Sequence, residues 1–239
     1  MVQELQNNHI VVLGSKPNAI LPDIPVNLVY GVNGAVELAV RYREKYGSTV
    51  IGFVRVVELR KFKHIQDSIK LAKPDELLVA GDDDSIEEFI KNDLGLQTIK
   101  IKRISTRKRL NNMEQVLGWR KWLVIFERVK IRGIKHFFKI ALPDIILNNN
   151  KDWLSHSTGF DTIMYLIRNY PDSVIVTAGI SAKASGHFNN KGQFTDKTAK
   201  ADQGTLRHWP HFNRKQVYTT DIDLKTSWGF PLWGGPNIK

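Results

Sequence analysis

His9-Ile10-Val11-Val12-Leu13-Gly14-Ser15-Lys16-Pro17-Asn18 is the stretch that decides how this 239-residue chain is read. An apolar run that stops at Gly-Ser is the pattern of a buried parallel strand giving way to a loop at its carboxyl end. A second run, Leu28-Val29-Tyr30-Gly31-Val32, ends the same way in Asn33-Gly34. Open α/β sheets bind nucleotides outside the carboxyl ends of their strands. Gly14, Ser15, Lys16 and Asn18 are therefore expected to face one crevice together with Asn33 and Gly34. A glycine lets the backbone approach a phosphate or ribose, and Ser15, Lys16 and Asn18 can donate to anionic oxygens. The glycine spacing is neither that of a Walker loop nor that of a dinucleotide fingerprint. An ordinary strand-to-loop turn explains the local motif equally well.

Working outward, Ala35 to Tyr46 has apolar residues at helical spacing and Gly47 as its stop. Thr49 to Val57 is β-branched and apolar and reads as a third strand, followed by a short helix over Ile65 to Ala72 and a strand over Glu76 to Val79. Asp82-Asp83-Asp84-Ser85 opens a helix over Ile86 to Lys91, and Thr98 to Ile104 reads as an edge strand. Leu117 to Leu142 is amphipathic and helical, with breaks at Gly118 and Gly133. Thr158 to Asn169 is a helix, Ser173 to Thr177 a strand, Thr195 to His208 a helix and Gln216 to Thr220 a last strand. The tail from Trp228 to Lys239 reads as irregular. The pattern predicts an α/β fold, a single Rossmann-like domain over 1–239 with a mostly parallel sheet and a basic, helical, lid-like insertion at about 97–150.

Composition narrows the class. The chain has no cysteine, so disulfides and thiolate metal sites are excluded. No stretch approaches the roughly 20 apolar residues of a membrane span, and Met1 to Asn8 lacks a signal-peptide core. A cytoplasmic protein is expected, with a peripheral place at the inner face of a membrane. Between Gln97 and Leu142 thirteen Lys or Arg face only Glu114 and Glu127, a local net of +11 that equals the net charge of the whole chain. Basic character is a property of this region alone. Its interleaved Trp119, Trp122, Phe126, Phe137 and Phe138 suit an anionic membrane surface through residues 117–142. Helices packed on the sheet with their charges in water are an equally good account.

Three further places carry candidate chemistry. Ser155-His156-Ser157-Thr158-Gly159 puts small hydroxyl residues ahead of a helix, which suits a phosphate or a simple N-cap. Val174 to Thr177 leads through Ala178-Gly179-Ile180 to Gly186-His187-Phe188 and on to Asp202, and a His beyond a strand end is placed for proton transfer. His208 and His211 are its rivals. Asp82 and Asp84 could hold a divalent cation on a sugar nucleotide, although acids ahead of a helix are more often caps.

Taken in order, a strand ending Gly-Ser-Lys-Pro-Asn, a strand ending Val-Asn-Gly, Ser-Thr-Gly before a helix, and a strand ending Gly-Ile with a His loop resemble the sialyltransferase-like glycosyltransferases. These include bacterial sialyltransferases and Kdo transferases. The resemblance spans 9–60 and 155–225 and leaves the basic middle unmatched. It implies transfer of an acidic sugar from a CMP-activated donor to a glycan or glycolipid acceptor, with CMP-sugar as co-substrate, no other cofactor and no metal. It also implies that Gly14, Ser15, Lys16, Asn18, Asn33 and Gly34, with Ser157, Thr158, Gly159, Gly179 and Ile180, line the nucleotide. His187 would be the base, with Asp202 the carboxylate alternative. The chain departs from the family pattern in having no His among the residues just before Asp202 and no clear match for the tyrosines that hold the departing phosphate. Lys183 or Lys191 would supply charge in their place. The competing readings are a metal-dependent UDP- or GDP-sugar transferase and a non-enzymatic module for anionic lipid or nucleic acid; nucleic acid is not the expected partner.

Overall fold

The computed structural model describes residues 9–132, 156–181, 196–209 and 215–238. Seven strands form one sheet: β1 (His9–Leu13), β3 (Leu28–Val32), β4 (Thr49–Arg55), β5 (Glu76–Ala80), β6 (Lys100–Ile104), β7 (Val174–Ala178) and β8 (Val217–Thr219). Their order is β6-β5-β4-β3-β1-β7-β8, and every pairing is parallel. This is the expected α/β, Rossmann-like architecture.

Parallel strands need both faces covered, and the alternation of side chains shows how that is met. Ile10, Val12, Ile51, Phe53, Leu78 and Ile175 point to one face. Val11, Leu13, Val50, Val54, Leu77 and Val176 point to the other. The second face is covered by the helices between β3 and β6: α1 (Val36–Tyr46), α2 (Val56–Lys61), α3 (Lys63–Ala72) and α4 (Ile86–Glu88, continued as a π turn over Phe89–Asp93). The first face carries those that come later: α5 (Thr106–Leu117), α6 (Lys121–Arg132), α7 (Thr158–Asn169), α8 (Asp196–Arg207) and α9 (Ile222–Trp228). The chain therefore changes faces between β6 and β7, and β7 returns to lie against β1. The topological switch is at β1/β7, one strand over from the β1/β3 junction to which the sequence drew attention.

Several local expectations are met. Gly47 closes α1 in the left-handed region at φ 70°, donating back to Arg43. Gly118 ends α5 before a 3-10 turn leads into α6. Three others need correction. The third strand stops at Arg55, because Val56 and Leu59 are buried in a helical turn rather than along the ladder. A helix over Thr106–Leu117, capped by Ser105 accepting from the Lys108 amide at 3.2 Å, was hidden by its basic residues. The tail is not all irregular: Asn237–Ile238 forms a strand (β9) antiparallel to β2 (Leu21–Pro22), and Leu232 bridges β8 at Thr219. A two-residue strand has no sequence signature, since its partner comes from the other end of the chain.

Candidate functional site

The tips of β1 and β7 lie against each other. Leu13 is in register with Ala178, the Gly14 amide donates to the Ala178 carbonyl at 2.7 Å, and the Lys16 amide donates to the Gly179 carbonyl at 2.9 Å. A methyl on Gly14 would overlap the Gly179 carbonyl oxygen. Gly179, at φ 71°, would place a Cβ 2.5 Å from the Gly14 carbonyl oxygen. Both glycines are thus accounted for by the close approach of two backbones.

Ile180 continues from this contact to the start of α7, where its side chain lies 3.2 Å from the place of a Cβ on Gly159. Ser157 caps α7, its hydroxyl accepting from the Phe160 amide at 3.1 Å and its own amide donating to the buried Asp202 carboxylate at 3.0 and 3.3 Å. Helix geometry leaves the Thr158 and Gly159 amides without an intrahelical acceptor, at the positive end of the helix dipole. The Thr158 hydroxyl donates to Glu58 on α2 at 2.7 Å.

Asn33 starts the turn after β3 in the left-handed region at φ 53°, which asparagine tolerates. It is buried, with no hydrogen-bond partner for its Oδ1. Leu13 pairs with Gly31, so Asn33 and Gly34 stand beside the β1 tip on the same sheet edge, as expected. Gly14, Gly34, Thr158, Gly159, Gly179 and Ile180 are buried, Ser15, Lys16 and Ser157 are half-buried, and Asn18 is exposed at φ 57°.

Lys16 is differently employed from a phosphate-binding lysine. Its ammonium donates to Asp223 at 2.7 Å and Asp221 at 3.1 Å, and Asp221 also accepts from the Gly179 amide at 2.8 Å. This ties the β1, β7 and β8 tips together. Burial pulls the Lys16 pKa down, but Asp223 and Asp221 outweigh it and hold the ammonium above its usual value. Burial pushes Asp221 up despite Lys16. The folded protein therefore holds a proton on Asp221 at a pH where the unfolded chain has lost it. That carboxylate weakens the fold at neutral pH, and the penalty disappears as pH falls through the folded pKa. Lys16→Met is expected to cost about 1–3 kcal/mol at pH 7. Urea melts from about pH 7 to 4 should show the gap to wild type narrowing. A constant gap would remove Asp221 from this account.

A second polar group joins β4, α5 and α7. Arg55 and Arg109 both donate to Asp161 Oδ2, at 2.6 and 2.5 Å, and Arg55 also donates to the His156 carbonyl. His156 is buried, its Nε2 2.6 Å from Thr205 Oγ1 on α8 and its ring stacked on Phe160 at 4.8 Å between centroids. Arg55, Arg109 and Asp161 were not singled out from sequence, and His156 entered only as part of the Ser155–Gly159 stretch, because each is an ordinary residue until the fold brings it to the others.

Asp82, Asp83 and Asp84 are engaged within the fold. Asp83 accepts from the Ser85 amide at 2.9 Å and from Arg60 at 2.7 Å, Asp84 pairs with Arg103 at 2.8 Å, and Asp82 accepts from the Thr106 amide at 3.2 Å. Arg60 and Ser85 hold the Asp83 carboxyl below its usual range. Among the described residues no three His, Asp or Glu side chains group as metal ligands. A groove lined by Gln203, Leu206, Arg207, Ser227, Trp228 and Gly229 runs between α8 and α9 and includes none of the expected site residues. His208 lies with its Nε2 3.4 Å from Glu127. His187, His211, Lys183, Lys191 and the stretch after Arg132, with its expected break at Gly133, lie outside the described residues.

No protein-family model matches the chain, and no curated protein or solved structure matches it. The class that the fold defines is a parallel, doubly wound α/β protein with small-residue strand tips gathered at its switch point.

Proposed function

We propose that the protein is a glycosyltransferase that moves an acidic sugar, of the Kdo or sialic acid kind, from a CMP-activated donor to a surface glycan, without a metal. The observation that carries this reading is the meeting of the β1 and β7 glycine tips with the amino terminus of α7 through Ile180, with the buried Asn33 beside the β1 tip on the same sheet edge. In open α/β sheets this edge is where nucleotides bind. The unpartnered Asn33 Oδ1 can accept from an amino group or hydroxyl of a nucleoside. Thr158 and Gly159 offer amides to a phosphate.

The chemistry divides among these residues. The bond between the anomeric carbon and the phosphate oxygen breaks, and its electron pair leaves with CMP. The amides at the start of α7 meet that charge. The acceptor hydroxyl forms the new bond and gives its proton to a base, the role that the family resemblance assigns to His187. Asp202, held by the Ser157 amide, orients the helix opening.

A calorimetric panel of CMP, UDP and GDP with and without Mg²⁺ tests the reading. CMP should bind without metal, and Asn33→Ala should weaken it about 5–10-fold. Metal-dependent UDP or GDP binding, or no nucleotide binding at all, would overturn it.

A further inference from the structure

We infer that α6 and the turn before it form a surface that docks on an anionic lipid bilayer. Trp119, Trp122, Leu123 and Phe126 recur at three- and four-residue spacing, so they share one face. That face is exposed: Trp119 by 68%, Trp122 by 53% and Phe126 by 56%. The opposite face buries Val124 and Ile125, so the helix has one apolar stripe in the protein and a second turned outward. Among the described residues the other exposed large apolar side chains, Ile20, Val57, Leu71, Ile222 and Leu232, are scattered over other parts of the chain.

The charges around the stripe name its partner. The Arg120 guanidinium lies 5.5 Å from the Trp119 ring and the Lys121 ammonium 5.6 Å from that of Trp122. Arg107, Lys108 and Lys130 are exposed nearby in the chain. The two acids of this region are already occupied, Glu114 by Lys121 at 3.2 Å and Glu127 by Arg207 and His208 at 3.4 Å each. A second copy of the chain is disfavoured, since a two-fold interface would set this basic face against itself. A single nucleic-acid strand is held in a groove that tracks its backbone, whereas these rings stand along one face of a helix and the turn before it. Indole and phenyl rings beside cations are what the headgroup layer of an anionic bilayer accommodates. Glu127 ties α6 to the end of α8, the helix that carries Asp202 and Thr205. Docking would then bring the candidate site close to membrane-borne acceptors, a consequence that rests on the proposed transfer reaction, whereas the docking itself does not.

Co-sedimentation of the full chain with phosphatidylcholine vesicles, and with the same vesicles containing phosphatidylglycerol, tests the surface without any nucleotide. Partition should favour the anionic vesicles at least about tenfold and weaken with salt. Arg120→Glu with Lys121→Glu, and separately Trp119→Ser with Trp122→Ser and Phe126→Ser, should each lower it about tenfold or more. The aromatic set alters solvent-facing side chains, and the charge set two half-buried ones, one of which gives up the Lys121–Glu114 pair; unchanged melting temperatures would exclude misfolding as the cause. Equal partition to neutral and anionic vesicles, no partition, or wild-type partition by the aromatic variant would overturn the proposal. So would tighter binding to a single-stranded oligonucleotide than to vesicles, or a dimer that the aromatic variant abolishes.

Discussion

Gly179→Ala is expected to destabilise the protein by roughly 3 kcal/mol, a shift of about 1 M or more in the urea midpoint. Two costs add. The residue sits at φ 71°, where a Cβ is strained, and that Cβ would lie 2.5 Å from the Gly14 carbonyl oxygen, a backbone atom that cannot swing aside. The Gly179 amide also donates to the buried Asp221 carboxylate, so a shifted loop would loosen the Lys16–Asp221 pair as well. Gly14→Ala should act in the same direction through its overlap with Gly179. A midpoint shift below about 0.3 M for Gly179→Ala would mean that the two loops separate easily and that the contact has little energetic weight. The result bears on function too: loss of nucleotide binding in either variant would report a displaced loop, not a lost phosphate contact.

Asp161→Ala should cost about 3 kcal/mol or more and lower Tm by at least ~6 °C. Arg55, Arg109 and Asp161 have side chains only 14%, 13% and 11% exposed, and removing the shared carboxylate strands two cations together in a poorly hydrated place. Replacing either arginine by Met in the Asp161→Ala background should recover part of the loss, because one stranded charge goes with it. The rescue separates a charge effect from a cavity effect, which Met would not repair. Recovery by neither substitution, or a loss below ~1 kcal/mol for Asp161→Ala, would show that water already solvates the arginines. Since the triad joins the end of β4, α5 and the first turn of α7, thermal melting in this variant should begin with the helix opening that Ser157 caps.

Much of the frame was legible without a structure, because it rests on local patterns. Runs such as Ile10–Leu13 and Val174–Val176, apolar at every position, call for burial on both faces, which is what a parallel sheet provides. Gly47 marks the end of α1 by its backbone freedom, and Ser157 marks the start of α7 by its hydroxyl. The expected nearness of the Gly14 and Asn33 tips followed from adjacent parallel strands. The harder cases were those where one pattern masked another. Basic residues concealed the apolar stripe of α5, and Val56 and Val57 prolonged a strand-like run into a helix.

What the sequence alone determined is therefore the layer architecture and the chemical character of the strand tips, since both depend on residues within a few positions of one another. Tertiary structure alone decided which tips meet. It set β7 rather than β3 across the switch from β1, turned Lys16 from an apparent anion ligand into the partner of Asp221 and Asp223, and gathered Arg55, Arg109 and Asp161 from three elements. It also left Trp119, Trp122 and Phe126 in solvent while burying Val124 and Ile125 on the same helix. The physical reason is common to all of these. A charge or an aromatic ring is indifferent to its place until burial removes water, and which groups lose water is settled only when distant segments pack.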